Sequence, residues 1–150
     1  MFLVDIRGCC LAELPVTAFE NATKRNVPAL KAGDLVHARV TSAHHFASPT
    51  LSCVDSNGKA AGMGSLKGGS TVCISTGFAR SLLSTPVHPV LSLLGTKIKF
   101  EIVIGMNGLV WVHAHSAEDL IRLTETLEKC DNHDRKAAER ICSGQLENRF

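Results

Sequence analysis

The sequence lacks the features of a membrane-spanning or secreted protein. No apolar run approaches the roughly 20 residues that a bilayer-spanning helix needs. Residues 1–7 have neither a basic start nor a long apolar core, so they do not form a secretory signal. Charged residues make up only 20% of the chain and the formal net charge is +2, which excludes a disordered tail or a polybasic arm. We therefore expect a soluble, intracellular globular protein.

Patterns for catalysis and metal binding are also missing. The sequence contains no G-x-S-x-G, H-E-x-x-H or C-x-x-C pattern, and it has no tyrosine. The adjacent Cys9 and Cys10 have no second closely spaced pair to complete a zinc site. His113 and His115 lie on one face of a predicted strand, but the sequence indicates no third ligand. We expect inert thiols, no metal ion, no cofactor and no enzymatic activity.

Short strands and turns characterise residues 1–65. Apolar side chains alternate with their neighbours over residues 2–7 and 35–41, the period-two pattern of a half-buried strand. Another strand is expected over residues 50–54, before a hairpin turn at residues 55–58. Short strands separated by turns predict a small Greek-key barrel.

Four glycines between residues 62 and 70 mark a change in pattern. We predict a flexible linker there, between a domain at residues 1–65 and a second domain at residues 66–150. The alternative is a loop that binds phosphate. The segment has neither the G-x-G-x-x-G spacing nor the Gly-Lys-Ser/Thr of a P-loop, so the linker is the better interpretation.

The second segment mixes helical and strand patterns. Apolar residues recur at i, i+3, i+4 and i+7 from Val87, which predicts a helix that Gly95 ends. An Asn-Gly pair at residues 107–108 predicts a hairpin, and Ser116 with Asp119 resembles a capping box. The predicted elements are a strand over residues 71–75, helices over 76–84 and 87–95, strands over 98–104 and 109–115, a helix opened by Ser116 and a last helix over 134–142. The predicted fold class is α+β: a barrel followed by an α/β domain of order β-α-α-β-β-α with an added C-terminal helix.

A nucleic-acid-binding role fits the first segment better than catalysis does. A barrel of this type contacts single strands through its central strands and the loop between its fourth and fifth strands. That loop spans residues 42–49, where His44, His45 and Phe46 are candidates to stack on bases. The alternative is an exposed polar loop with Phe46 tucked beneath it.

Basic residues supply candidate phosphate contacts. Lys24 and Arg25 form a compact basic tip within a short helix or turn predicted over residues 17–26. The alternative for this tip is a solvated loop. Arg39 and Lys59 are weaker candidates for contact with RNA.

The charge balance limits how tightly the chain alone can hold RNA. Residues 1–65 carry six Lys+Arg and five Asp+Glu, and residues 66–150 carry ten and nine, so each part has a net charge of +1. A protein that holds RNA unaided usually has a stronger basic excess. We expect weak affinity from the chain alone, supplemented by neighbouring subunits.

Several blocks of the sequence, taken in order, are similar to one known family. The blocks are residues 18–26, 33–35, 53–60, 62–64 and 100–112. They resemble the ribosomal RNA-processing protein 40 family of exosome cap subunits, also called exosome component 3. The Ala-Thr-Lys-Arg-Asn sequence within the first block separates this family from the related ribosomal RNA-processing protein 4. The resemblance extends from about Phe2 to Cys130.

The resemblance implies an S1-type OB-fold barrel followed by a KH-like domain. It implies a non-catalytic cap subunit of the RNA exosome, which stabilises a ring of RNase PH-like subunits and guides single-stranded RNA to an associated 3′→5′ exoribonuclease. Other cap subunits are implied partners, and a place in ribosomal RNA processing implies the nucleus and nucleolus, and also the cytoplasm. A free-standing single-stranded RNA-binding module is the alternative function, and a small hydrolase or metalloenzyme is a third.

Two departures from the family pattern affect these expectations. The chain begins where the family has its second barrel strand, so we expect an incomplete barrel with an open edge that a partner completes. A KH domain that grips RNA has a G-x-x-G loop between two helices, but residues 84–89 contain no glycine. Gly105, Asn107 and Gly108 lie instead in the predicted hairpin as a tight structural turn, which the family implies at the barrel–KH junction. We therefore do not expect the KH-like domain to grip RNA independently.

Overall fold

The computed structural model describes residues 1–147, and the chain divides between Lys67 and Gly68 into two units. The predicted domain boundary at residue 65 falls within a strand, Gly64–Leu66, of the first unit. No helix within residues 1–147 has the length and the apolar composition that crossing a membrane would require.

The first unit is built from short strands, as the alternating pattern predicts. The strands are β1 (Phe2–Val4), β2 (Ala12–Leu14), β3 (Leu35–His37), β4 (Arg39–Ser42), β5 (Thr50–Ser52) and β6 (Gly64–Leu66). They form a four-stranded sheet in the order β1-β2-β5-β4 and a two-stranded sheet of β3 and β6. Paired strands are antiparallel except β2 and β5, which run parallel with Glu13 opposite Thr50. Both sheets are open among the described residues, because β1 and β4 each pair on one side only and β3 and β6 pair only with each other.

The continuous strand predicted over residues 35–41 is wrong. The chain changes partner at Ala38, so that β3 pairs with β6 while β4 pairs with β5. A register shift between Val40 and Ser42 also interrupts the pairing of β4. The segment predicted as a short helix or turn at residues 17–26 contains one 3-10 turn, Val16–Ala18, followed by irregular chain.

The core of the first unit is small. Its buried hydrophobic side chains are Ala12, Leu14, Leu51 and Cys53, and partly buried neighbours such as Phe2, Val4, Phe19 and Met63 pack against them. The rings of Phe2 and Phe19 meet edge to face, with centroids 6.2 Å apart. Because the strands contribute few side chains each, the irregular chain around Phe19 completes this core.

The second unit has the element order that the sequence predicts. It contains β7 (Ser70–Cys73), α1 (Thr76–Leu83), α2 (Pro89–Lys97), β8 (Phe100–Ile104), β9 (Leu109–Ala114), α3 (Ala117–Cys130) and α4 (Arg135–Glu147). The sheet is antiparallel in the order β7-β9-β8. Val110 and Val112 on β9 are fully buried against a core that includes Leu94, Leu123 and Leu127. This core is larger than that of the first unit.

The predicted end of the second helix at Gly95 is wrong. α2 continues through Gly95 to Lys97 and ends where the Ile98 N–H donates to the Leu94 carbonyl, at 2.9 Å. A glycine inside a helix costs about 1 kcal/mol relative to alanine. Burial of Leu94 and Ile98 outweighs that cost, since burying a large aliphatic side chain contributes about 1.5–3 kcal/mol.

Two other local predictions fail. Ser116 precedes α3, but its side chain accepts no capping hydrogen bond, and Asp119 lies 3.8 Å from Arg122 instead. The flexible linker predicted over residues 62–70 is wrong because β6 pairs with β3 and Ser70 begins β7 opposite Val112. In both places a tertiary contact decides the local structure.

A buried histidine caps the second helix. His88 is 1% exposed, and its Nδ1 accepts the N–H of Val90 at 3.3 Å. The His88 ring meets the Phe78 ring edge to face at 5.8 Å. Burial lowers the pKa of His88 below its ordinary value of 6.5, the Arg135 charge lowers this pKa further, and Glu139 opposes the shift. The folded chain therefore favours the neutral imidazole.

We predict that His88 makes the second unit less stable in mild acid. Because the pKa of His88 is lowered on folding, the unfolded chain binds the proton more readily. This contribution to stability is complete above about pH 6.5 and is lost as the pH falls below that value, with a slope of at most about 1.4 kcal/mol per pH unit. His88→Asn keeps an acceptor at the cap position but does not titrate. Urea unfolding at several pH values, followed by Trp111 fluorescence, should show a shallower acid loss in the variant. An equally steep loss would contradict this assignment.

Two glycines hold the only tryptophan in place. Gly68 and Gly69 have φ of 71° and 67°, and the Trp111 Nε1–H donates to the Gly68 carbonyl at 2.8 Å. A Cβ on Gly69 would collide with the carbonyl of Val112 and with the indole of Trp111. A Cβ on Gly68 would meet only the His113 ring, at an ordinary contact distance of 3.5 Å. The two positions therefore share a backbone conformation and differ in the space around them.

We predict that Gly69→Ala destabilises the second unit more than Gly68→Ala does. The left-handed backbone alone costs an alanine about 1–2 kcal/mol at either position. The collision with Val112 and Trp111 should raise the total loss for Gly69→Ala above about 3 kcal/mol, since overpacking adds about 1–3 kcal/mol. Urea unfolding monitored by Trp111 fluorescence measures both variants, and equal losses would show that the collision is relieved at no cost.

Candidate nucleic-acid interface

The basic tip predicted from the sequence is a closed turn. The Thr23 N–H donates to the Asn26 carbonyl at 3.2 Å, and the Asn26 N–H donates to the Thr23 carbonyl and hydroxyl, each at 3.1 Å. Lys24 and Arg25 are the two central residues of this turn, and both are exposed. The Asn26 side chain donates to the Asn21 carbonyl at 3.4 Å, which ties the turn to the chain before it.

A second closed turn carries Lys59. The Asp55 carboxylate accepts the N–H groups of Asn57 at 2.8 Å and Lys59 at 2.9 Å. The Asp55 N–H donates to the Lys59 carbonyl at 2.7 Å, and the Gly58 N–H donates to the Asp55 carbonyl. Both amides bond to the Asp55 Oδ1, and no ion pair joins this carboxylate to the exposed Lys59 ammonium. We call residues 23–26 and 55–59 the paired basic turns.

Two long-range hydrogen bonds connect the segments that carry the paired basic turns. The Cys53 N–H donates to the Ala18 carbonyl at 2.9 Å. The Ala60 N–H donates to the Glu20 Oε2 at 2.9 Å. The chain that leads to Lys24 is therefore held against the chain on both sides of the second turn.

Arg39 lies beside the same segment. Its Nε–H donates to the Val54 carbonyl at 2.8 Å, next to the start of the second turn. This bond fixes the direction of the Arg39 side chain, which is exposed. The structure thus brings Arg39 and Lys59 to one stretch of chain, residues 53–60.

The cations of the paired basic turns have no acidic partner among residues 1–147. Ion pairs do form elsewhere, as between Arg122 and the carboxylates of Glu118 and Asp119 on α3. Lys24, Arg25 and Lys59 form none. Exposed, unpaired cations release counterions when they meet phosphates, and that release is the main source of sequence-independent affinity for nucleic acid.

The predicted aromatic loop lies between β4 and β5. Phe46 at its tip is 99% exposed, so the alternative in which it tucks beneath the loop is wrong. The His45 ring is 5.4 Å from the Phe46 ring and tilted by 57°. The Ala47 N–H donates to the His44 carbonyl at 3.4 Å and closes the loop. An exposed aromatic ring of this kind is suited to stacking on a base.

The aromatic loop and Arg39 lie at opposite ends of one hairpin. Arg39 is opposite Ser52 at one end, and Ser42 is opposite Thr50 at the end that leads into the loop. The structure therefore does not bring Arg39 and the aromatic loop together in one site. Stacking by His44, His45 and Phe46, and phosphate contact by the basic residues, remain separate predictions.

The connection between α1 and α2 has no glycine, and a side chain from α4 holds it by hydrogen bonds. The Arg135 guanidinium donates to the carbonyls of Pro86 at 3.3 Å and Val87 at 3.1 Å. The side chains of Leu83 and Val87 are exposed there. This connection is unlike the glycine-containing loop that clamps a nucleotide backbone in RNA-gripping KH domains.

Gly105, Asn107 and Gly108 form the turn between β8 and β9. The Asn107 Oδ1 accepts the Leu109 N–H at 3.2 Å, and the Gly108 N–H donates to the Gly105 carbonyl at 3.1 Å. The Gly108 carbonyl accepts the N–H of Ile74, which follows β7. These hydrogen bonds close the turn and attach it to the chain after β7, so the three residues have a structural role within the second unit.

The thiols divide into buried and exposed groups. Burial raises the pKa of Cys53, Cys130 and Cys142 to about 11, so these thiols stay protonated. Cys9, Cys10 and Cys73 are exposed. In the part of the chain that the structure describes, no three His, Cys, Asp or Glu side chains lie together as a metal site would require.

The sequence analysis did not predict the long-range contacts of Glu20 and Arg135. Each forms a contact with a residue at least 40 positions away, Glu20 with Ala60 and Arg135 with Val87. No local pattern predicts such a pairing. The position of Glu20 just before the Lys24-Arg25 tip is the only available hint.

Comparisons with known proteins match both parts of the chain. A family model described as the S1 domain of exosome complex component RRP40 matches residues 1–64, and a KH domain model matches residues 69–118. The exosome complex component rrp40 of Schizosaccharomyces pombe is 39% identical over 132 residues, which are 87% of this chain and 55% of that protein. The RRP40 of Saccharomyces cerevisiae is 37% identical over 135 residues, 89% of this chain and 56% of that protein.

An animal relative gives the same result. The RRP40 of Homo sapiens is 36% identical over 133 residues, 88% of this chain and 48% of that protein. The chain thus spans about half the length of the curated relatives that it matches.

A solved structure shares the fold. The crystal structure of a putative exosome complex RNA-binding protein superposes with a TM-score of 0.73 at 18% identity, covering 99% of this chain and 87% of that one. This likeness supports the α+β fold class and the order of an S1-type unit followed by a KH-type unit. The family resemblance noted in the sequence is confirmed: residues 1–64 match the RRP40 S1-domain model, and relatives named exosome complex component RRP40 are 36–39% identical over most of the chain.

Proposed function

We propose that this chain is a non-catalytic, RNA-binding cap subunit of an RNA exosome. In this role it stabilises a ring of RNase PH-like subunits and guides single-stranded RNA to an associated 3′→5′ exoribonuclease for processing and degradation. The observation that carries the proposal is the match to RRP40 relatives, which runs through both units at 36–39% identity. Neither catalytic motifs nor zinc-ligand spacing occur in the sequence, in keeping with a role in guiding RNA.

The geometry supports the first unit as the part that contacts RNA. Lys24, Arg25 and Lys59 are exposed and unpaired among the described residues, and Phe46 is exposed at a loop tip. The second unit has the fold of a KH domain, but its α1–α2 connection is held by Arg135. We infer that the second unit contributes mainly to protein contacts, while the first unit contacts phosphates and bases.

The modest charge of the chain is consistent with a subunit that acts within an assembly. With a formal net charge of only +2, the chain has little basic excess, and its affinity for RNA in physiological salt should be low. Neighbouring subunits along the RNA path would raise the effective affinity by adding contacts to the same strand. The proposed partners are RNase PH-like ring subunits, other cap subunits and the exoribonuclease, with the nucleus, nucleolus and cytoplasm as the proposed locations.

The assembly is tested by affinity purification. We expect the tagged chain, recovered from cell extract at moderate salt, to bring down RNase PH-like subunits and other cap proteins identified by mass spectrometry. Recovery of RNA without any ring subunit would favour a free-standing RNA-binding module. Because the chain spans about half the length of its relatives, a negative result would be followed by the same purification with a longer chain that covers the relatives' full length. A second negative result would count against the exosome.

The RNA path is tested by charge reversal. We predict that Lys24→Glu combined with Arg25→Glu weakens RNA entry into the reconstituted assembly by about tenfold or more, since each cation that contacts a phosphate contributes to affinity. Both residues lie in an exposed turn, so stability should change by less than about 0.5 kcal/mol. RNA protection and degradation assays measure entry, and thermal unfolding measures stability.

A matched control separates the site from the total charge. Lys136→Glu combined with Arg140→Glu makes the same change of charge on the exposed face of α4. The control variant should thread RNA as the wild type does. Equal threading by the Lys24 and Arg25 variant, or equal loss in both variants, would contradict the assignment.

A further inference from the structure

Glu20 is an exposed acidic residue whose side chain is engaged by a distant backbone amide. Its Oε2 accepts the N–H of Ala60 at 2.9 Å, across 40 positions of sequence. Ala60 directly follows Lys59, and Glu20 precedes Lys24 by one turn of irregular chain. We infer that Glu20 is a positioning residue that holds the paired basic turns together as one surface for the phosphodiester backbone of single-stranded RNA, an inference that rests on the proposed function.

Each of the paired basic turns is closed by its own hydrogen bonds. The first is closed between Thr23 and Asn26, and the second by the carboxylate of Asp55. Neither turn therefore needs Glu20 for its own shape. What Glu20 adds is a fixed position of one turn relative to the other.

Few other contacts can supply that fixed position. Residues 19–34 contain no strand or helix, so no sheet pairing holds them. The bond from the Cys53 N–H to the Ala18 carbonyl and the packing of the Phe19 ring on the core hold the start of this segment, before the basic tip. The Glu20 carboxylate is the next attachment along the chain toward Lys24, and its partner Ala60 is adjacent to Lys59.

The spacing suits a polynucleotide rather than a single phosphate. Lys24 is four positions after Glu20, so their Cα atoms are at most about 14 Å apart. Glu20 thus links the chain that carries Lys24 and Arg25 to the residue after Lys59. Three exposed cations on two such turns suit successive phosphates of one strand better than a single phosphate.

The charge of Glu20 is not needed for this role. Neither Lys24, Arg25 nor Lys59 pairs with the Glu20 carboxylate, and the oxygen that is used accepts an N–H. Glutamine offers an amide oxygen of the same reach and removes a negative charge from a surface that binds anions. Glu20→Gln should therefore keep the position and bind RNA at least as tightly as the wild type, whereas Glu20→Ala should lose the position.

The test is a titration of a fluorescently labelled oligouridylate with the whole chain, followed by anisotropy between about 0.05 and 0.2 M salt. We expect Glu20→Ala to weaken binding by about twofold to tenfold, the range that corresponds to one net hydrogen bond. It should also flatten the slope of log affinity against log salt by about 0.7, because one phosphate contact is lost. Glu20→Gln should match or exceed the wild type in both respects.

A control and a structural readout complete the experiment. Glu128→Ala removes the same charge from the exposed surface of α3 and should leave affinity unchanged. Amide hydrogen exchange at Ala60 should be faster in Glu20→Ala than in the wild type, and protected again in Glu20→Gln. Thermal unfolding establishes that both Glu20 variants are folded.

The outcomes distinguish this inference from the proposed function. One outcome is that reversing the charges of Lys24, Arg25 and Lys59 weakens RNA binding, while Glu20→Ala changes neither the RNA affinity nor the amide hydrogen exchange at Ala60. In that case the positioning role is overturned and the RNA-binding role stands. If Glu20→Gln is as weak as Glu20→Ala, the carboxylate acts through its charge and the inference is also overturned. If neither the wild-type chain nor any variant binds RNA even at low salt, the RNA-binding role itself is wrong, and the inference about Glu20 is wrong with it.

Discussion

The hydrogen bonds that hold residues 18–20 against residues 53–60 set the shape of the first unit. Its strands have three or four residues each, and its buried core consists of four side chains. A core of this size offsets only part of the entropy lost when a long irregular segment becomes ordered. The bonds from Cys53 to Ala18 and from Ala60 to Glu20 give that segment a defined position. The candidate RNA-contacting residues depend on the same bonds, because Lys24 follows the segment and Lys59 precedes Ala60.

The second unit is stabilised differently, by a continuous core and by side chains that join the ends of helices. The Ser75 hydroxyl and N–H both donate to the Asp131 carboxylate, at 2.7 and 3.1 Å, and the same hydroxyl accepts the Phe78 N–H at the start of α1. Asp131 directly follows α3, so one carboxylate links the start of α1 to the end of α3. His88 and Arg135 fix the start of α2 and the connection before it. These contacts leave the α1–α2 connection with defined backbone partners in the very place where an RNA-gripping KH domain has a glycine-containing loop.

Local patterns in the sequence predicted the order of elements, because most elements here have a clear period. The strand predicted over residues 109–115 and the Asn-Gly turn before it correspond to β9 and its hairpin, and the exposed tip at Lys24 and Arg25 is where the sequence placed it. Predictions failed where a partner distant in sequence decides the structure. α2 continues past Gly95 because Leu94 and Ile98 are buried, and Gly64 lies in β6 because β3 is available to pair with it. The role of Glu20 has the same origin, since nothing near Glu20 in the sequence indicates that its partner is Ala60.

We propose that the paired basic turns of the first unit contact RNA within an assembled exosome. Photo-crosslinking tests it most directly: RNA containing 4-thiouridine is bound to the purified complex, irradiated and digested, and the crosslinked peptides are identified by mass spectrometry. We expect crosslinks within residues 18–26 or 55–60 of this chain, and their loss when Lys24 and Arg25 are both changed to glutamate. Crosslinks confined to residues after Gly68, with none in the first unit, would contradict it.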